Sequence, residues 1–291
     1  FADILTVFAK IEDDKNLTAF IVPNDSKNGI SFGKEEEKLG SNSSSTRQVF
    51  FNETKVPVEN MLSQRGNGFK IAMNALNIGR IKLAVAALDA ERRLINVSTK
   101  YANERIQFRK KISEFGAIKE KIAVMATDLY AGESASYRAA KDIEDRIVIL
   151  KESGKSYQEA TLKGFEEYVI ECSMLKVAVS EDLQNVADQG KQIFGGMGYS
   201  KETPMESAWR DARIARIYEG TNEINRLVAI GMLIKKAIKG HVDLISEAEN
   251  VANSLTGIPS FEIPDLSELF DEEKIILKNL KKIFLMLCGA G

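Results

Sequence analysis

The chain has 291 residues, enough for one large or two ordinary domains that each bury a core. Its 40 Lys and Arg against 42 Asp and Glu leave a net charge of −2, which argues against a general nucleic-acid surface. Cys172 and Cys288 lie far apart and the single histidine, His241, has no partner at ligand spacing, so neither a disulfide nor a metal site is expected.

Residues 4–11, 19–22 and 48–52 are short β-rich runs separated by Asp, Asn, Gly and Pro, and they predict strands; the chain opens at Phe1 within what reads as a strand. From Gly68 the apolar period shifts to about 3.6 residues. Leu83, Ala87, Ala90, Leu94, Val97 and Tyr101 form one stripe, and Ile81, Ala84, Leu88 and Ile95 a second, so the first long helix is buried on two sides. Ile118, Ile122, Met125 and Leu129 predict a second helix. Leu162, Phe165, Val169, Cys172, Leu175 and Val179 predict a third as one continuous segment, with Cys172 filling space on its apolar face, and a fourth begins near Asn222. Short connections predict antiparallel neighbours. Gly257, Ile258 and Pro259 through Ile263 and Pro264 read as a linker to a charged helical piece over 271–282.

The fold class expected is therefore α+β, mostly α. Residues 1–65 form a partial β-barrel or sandwich, 66–240 a four-helix bundle, and 241–291 a linker and the start of a helical extension. There is no internal repeat, and no apolar run approaches the roughly 20 residues of a membrane span. The opening within a strand and the close soon after the apolar run 283–288 read as a piece of a longer protein.

Chemistry concentrates in the run from Arg216 to Ile224. Glu219 and Gly220 precede a helix that Thr221 can cap, and Glu223 suits the positive end of the helix dipole. A bare carboxylate beside Gly-Thr is more often a solvated turn, so the run gains weight from three other segments. Arg105, Gln107 and Phe108 offer a guanidinium fork, an amide and an aromatic face at a helix end. Gln192, Gly195 and Gly196, with Gly198, allow close backbone approach to a ligand, although Lys201 stands where a dinucleotide fingerprint needs its third glycine. Leu76, Gly79 and Arg80 lie on the first long helix.

These segments resemble, in order and spacing, those of the acyl-CoA dehydrogenases, over roughly residues 1–240, and most closely the very-long-chain subgroup. The resemblance implies an oxidoreductase that desaturates a fatty acyl-CoA to the trans-2-enoyl-CoA in β-oxidation, with FAD as cofactor. Glu219 would remove the α-proton, and the β-hydride would pass to flavin N5. Arg80 and Gly220 would support the base, while Ser44, Tyr218, Gly220 and Leu76 would contact substrate. Arg105, Gln107, Phe108, Gln192, Gly195, Gly196, Thr221 and Glu223 would hold FAD, the first six of them from the neighbouring subunit. Some relatives carry the base on the first long helix, where this sequence has Gly79. The loop 38–46 matches at Ser44 and Thr46 but departs at Ser41 and Asn42.

An electron-transfer flavoprotein as acceptor, a homodimer or tetramer, and peripheral membrane contact through the C-terminal extension follow from the same resemblance. So does the expectation that an N-terminal domain walling the acyl pocket lies outside this sequence. The Lys, Glu and Ile content suits a bacterial cytoplasm, with the mitochondrial matrix as the alternative. An acyl-CoA oxidase or another flavoenzyme of the superfamily, and a non-catalytic helical interaction module, are the rival readings.

Overall fold

The computed structural model describes residues 2–254 and 262–289; Phe1 and the linker residues Gly257, Ile258 and Pro259 lie outside them. The chain divides into two compact units, Phe1–Ala229 and Ile230–Gly291, so the boundary falls before residue 240, inside a helix that starts at Asn222.

The first unit opens with β1 (Ile4–Ala9), β2 (Thr18–Pro23), β3 (Ile30–Glu35), β4 (Arg47–Phe51) and β5 (Met61–Leu62). They form two small antiparallel sheets, β1-β2-β5 and β3-β4, and no closed barrel among the described residues. The sequence missed β3, whose Gly33 and charged end hide its alternation, and β5, which is only two residues long.

Next come α1 (Gly68–Glu104), a hairpin of β6 (Ile106–Gln107) and β7 (Lys110–Lys111), and α2 (Gly116–Glu152). They are followed by α3 (Tyr157–Glu167), α4 (Val169–Phe194), α5 (Gly196–Tyr199), α6 (Pro204–Arg213) and α7 (Asn222–Ile238). The third predicted helix is in fact two. Tyr168, at φ −99 and ψ 27, ends α3 and caps α4 while the apolar phase carries on across the break.

Helix directions follow from contacts. Arg80 meets Ser173 and Tyr101 meets Phe194, so α1 and α4, which holds the third predicted segment, run parallel, as two antiparallel steps require. Two reversals, into α2 and out again, separate them. Asn185 meets Asp128 and Lys121 meets Gln189, which places α2 antiparallel to α4. Gly132 on α2 sits where an added Cβ would come within 2.9 Å of Leu88 and 3.4 Å of Val179, so the three helices close tightly there.

Ile81, Leu88, Leu94, Met125, Ile143, Val179 and Leu183 belong to the continuous core, with Met205 and Ala212 contributed by α6. α7 gives no residue to it: Asn222, Asn225 and Ala229 are buried, whereas Ile224 and Leu227 are exposed. In the core α6 takes the place expected of the helix from Asn222: it starts at Pro204 and lends Met205 and Ala212, with Ala208 packed against them.

By length and apolar composition α1 could cross a membrane, contrary to the sequence expectation. Its buried Asn74, Asn77, Arg80 and Glu91, and its place between α2 and α4, mark it instead as the core helix of a bundle.

The second unit contains the rest of α7, α8 (Leu244–Ser254) and α9 (Asp271–Gly289), with α8 packed on α9. α9 covers the helical piece expected from 271, and Ile263 and Pro264 are irregular as the linker reading requires.

Candidate active site

The turn between α6 and α7 carries Glu219 at φ +58, a left-handed conformation that costs a non-glycine residue energy and persists only where the surroundings enforce it. Three buried side chains do so. Arg80 Nε donates to the Glu219 carbonyl at 3.4 Å, Lys176 Nζ donates to the Gly220 carbonyl at 2.8 Å, and Asn225 Nδ2 lies 2.8–3.3 Å from the carbonyls of residues 219, 220 and 221. Gly220, at φ +81, continues the turn where a side chain would be strained. Thr221 Oγ1 then accepts from Ile224 N at 3.3 Å, capping α7 as its sequence position predicts, and Glu223 stands in the first turn.

The side chain of Glu219 reaches back to α1. A Cβ built on Gly79 would stand 2.4 Å from Glu219 Oε2, so the carboxylate occupies the space that any other residue at 79 would fill. Oε2 is buried without a hydrogen-bond partner. Beside it opens a cleft of about 620 Å³, lined by Gly79, Leu83, Ala86, Ala87, Ala90 and Leu94 of α1, Leu183 of α4, Ala208 and Ala212 of α6, Ala215, and Tyr218 next to Glu219. Lys82, Arg93 and Asp211 supply its polar rim. Burial, and then the Glu219 charge, raise the pKa of the Tyr218 phenol.

Arg80 is 2 % exposed and acts on the main chain of Glu219 while Asn77 Oδ1 and Ser173 Oγ accept from its Nη1 at 3.0 and 3.2 Å. Burial lowers its pKa, partly offset by Cys172 and Glu219. Lys176 is fully buried, also donates to Asn222 Oδ1 at 2.7 Å, and is pulled down to about 8, first by burial and then by the nearby Arg80 charge.

Leu76 is half-buried one turn before Gly79 and does not line the cleft. Ser44 is exposed on a loop whose base is fixed to α6: Ser41 N donates to Asp211 Oδ1 at 2.6 Å and Arg210 Nη1 to the Leu39 carbonyl at 2.6 Å. A Cβ on Gly40 would collide with Arg210 and Asp211, so this anchoring requires glycine.

The remaining predicted residues gather elsewhere. Arg105 caps α1, and Phe108 and Arg109, at φ +52 and +69, turn the β6–β7 hairpin so that Phe108 is 86 % exposed. Gln192 lies in the last turn of α4, its carbonyl accepting from Gly195 N, the φ of +57 at Gly195 breaks the helix, and both Gly195 and Gly196 have open space where a Cβ would be. Tyr101 stacks on Phe194 at 4.0 Å between ring centroids, which brings the hairpin and the glycine pair to one end of the α1–α4 pair. Along α1 that end lies about 39 Å from Gly79, taking about 1.5 Å per residue.

Sequence reasoning missed Lys176, Asn222 and Asn225. Lys176 had a visible signal, since it interrupts the apolar stripe between Cys172 and Val179. A lysine there needs a buried acceptor.

Residues 66–231 match the acyl-CoA dehydrogenase C-terminal domain. The chain belongs to the acyl-CoA dehydrogenase family. It is 43% identical over 291 residues, all of this chain and 48% of the relative, to a probable acyl-CoA dehydrogenase of Bacillus subtilis. The mitochondrial very long-chain specific acyl-CoA dehydrogenase of Mus musculus is 37% identical over 262 residues, 87% of this chain and 36% of that protein. The short-chain specific enzyme of Megasphaera elsdenii is 36% identical over 237 residues, 80% and 57%. Among solved structures, an acyl-CoA dehydrogenase complexed with FAD from Bacillus anthracis superposes with a TM-score of 0.93 at 42% identity, over 99% of this chain and 49% of that one. The chain thus spans about half the length of these Bacillus relatives.

Proposed function

We propose that the protein oxidises a fatty acyl-CoA across its α,β bond, with Glu219 as the base. The observation that carries this reading is the Glu219 carboxylate, buried with Oε2 free of partners, set against a glycine, and facing an apolar cleft. A substrate thioester at the turn would present its α-carbon to that oxygen. Breaking the α C–H bond transfers the proton to Glu219, while the β-hydrogen leaves with its electron pair and the C=C bond forms. The Glu219 backbone N–H would polarise the thioester oxygen as it gains enolate character.

FAD fits the residues present. An exposed Phe108, the Arg105 guanidinium and the bare Gly195–Gly196 backbone offer a stacking face, a charge for a diphosphate and room for close approach. When bound, FAD supplies the hydride acceptor. The separation of about 39 Å along α1 exceeds the reach of one FAD. Thr221 and Glu223 would therefore hold the flavin that faces their own Glu219, and Arg105, Gln107, Phe108, Gln192, Gly195 and Gly196 the flavin of a partner subunit. This supports a homodimer, or a tetramer built from one.

A long acyl chain suits the cleft, which runs from Gly79 to Leu94, about 22 Å of helix, between rows of alanines. An electron-transfer flavoprotein is the acceptor that goes with this chemistry, and a bacterial cytoplasm is the setting we infer. The exposed Ile276, Leu280, Ile283 and Leu287 on α9 support a peripheral membrane contact.

The test is anaerobic bleaching of flavin absorbance by palmitoyl-CoA in the full-length protein, beside Glu219→Gln. The variant is expected to lose ~10²–10⁴ in rate. Bleaching at the parental rate in Glu219→Gln would overturn the assignment.

A further inference from the structure

Resting on that reading of Glu219, we propose that Lys176 is a positioning residue: its ammonium clamps the Glu219–Gly220 turn and thereby aims the carboxylate. Lys176 comes from the middle of α4 and is 0 % exposed, and among the described residues no carboxylate lies within ion-pair distance of it. Burying a lysine so costs free energy unless its donors are used. Here two are used, on the Gly220 carbonyl at 2.8 Å and on Asn222 Oδ1 at 2.7 Å. One residue precedes α7 and the other opens it, so a single side chain ties the turn to the helix after it.

Core stability alone would be better served by an apolar residue, since Lys176 sits between Cys172 and Val179, both fully buried. What the lysine adds is directional. Glu219 is in a left-handed conformation, and Gly220, the next residue, is fixed through its carbonyl to α4. Asn222 is held in turn, donating to Ser180 Oγ and Glu181 Oε1 at 3.1 Å each. Arg80 grips the turn from α1 and Lys176 from α4, so the two parallel helices act on adjacent carbonyls. Without Lys176 the Gly220 carbonyl keeps only Asn225 Nδ2, from α7 itself, so the turn is no longer tied to α4 and the carboxylate can leave its seat against Gly79. Misplacement on the ångström scale costs ~10²-fold in rate with little change in ground-state binding.

The experiment compares Lys176→Met, Lys176→Gln, Glu219→Gln and the Lys176→Met/Glu219→Gln double variant in the full-length, FAD-loaded protein. Flavin content and circular dichroism report folding. Palmitoyl-CoA affinity and the limiting rate of anaerobic flavin bleaching are read separately. Lys176→Met is expected to lower the limiting rate ~10–10²-fold with affinity within ~3-fold. Lys176→Gln keeps a donor, so it is expected to recover part of that loss, and it stands in for Lys176→Met should that variant not fold. In the Glu219→Gln background the Lys176 change is expected to add nothing, because both act through one group. A parental rate in Lys176→Met beside a dead Glu219→Gln overturns the clamp alone, as does an equal loss in both backgrounds. A parental rate in Glu219→Gln overturns the base assignment and the clamp with it.

Discussion

Gly79 and Glu219 share one volume: the carboxylate of the second lies where the side chain of the first would be, 2.4 Å from a Cβ that is not there. Gly79→Ala separates stability from activity. Within a helix Ala is favoured over Gly by about 1 kcal/mol, yet its methyl displaces the carboxylate. The variant is expected to melt no lower than the parent and to bleach its flavin with palmitoyl-CoA at least ~10²-fold more slowly. An unchanged rate would show that Glu219 acts from elsewhere.

Glu91 predicts a pH-dependent stability. It is fully buried on α1, both carboxylate oxygens lack partners, and burial, followed by the charges of Asp182 and Asp128, pushes it up to about 8. A folded pKa above the unfolded value means that ionisation opposes folding. The penalty is absent below the unfolded value of 4.5, grows as pH rises toward 8, and is constant above it. Glu91→Gln should therefore stabilise the protein, by on the order of 2–5 kcal/mol at pH 8.5 and by little at pH 4.5. Chemical denaturation at the two pH values checks this, and a pH-independent difference would refute it.

The alanines of the cleft predict chain-length control. Ala90→Phe fills the slot about 16 Å beyond Gly79 along α1. Palmitoyl-CoA turnover should fall ~10-fold or more while butyryl-CoA turnover changes little. Equal losses on both substrates would remove the long-chain reading.

Subunit complementation tests the shared cofactor. If Glu219 works on one flavin and Arg105 holds another, Glu219→Gln and Arg105→Ala are each inactive, but a co-refolded mixture contains hybrids with one intact site. About a quarter of parental activity is expected from random pairing in a two-fold dimer. No recovery would place both residues at the same cofactor.

Much of this is legible in the sequence. The stripe from Leu83 to Tyr101 announced α1, and the Thr221 cap announced the start of α7, because both are local and periodic signals. Less legible was anything that depends on partners distant in sequence. The break at Tyr168 leaves the apolar phase intact, so no pattern reveals it. Arg80 was expected beside Glu219, but only the fold shows that it grips the main chain and leaves the carboxylate free. Asn225, four residues past its acceptor Thr221, looked like an ordinary helix residue.

The two ends of the α1–α4 pair share one alignment. Arg80 with Ser173 and Tyr101 with Phe194 are each separated by 93 positions. Polar residues punctuate the seam, since Asn77, Glu91 and Ser98 are all buried and a Cβ on Gly190 would meet Ser98 Oγ at 2.9 Å. A slip of one turn would part Arg80 from Ser173 and set a residue with a side chain in the place of Gly190 against Ser98, penalties that smooth apolar packing would not impose. Such a slip would also move the carboxylate turn and the glycine pair together. The seam thus behaves as a key with teeth at both ends: it admits one fit, and a misfolded chain cannot keep one function while losing the other.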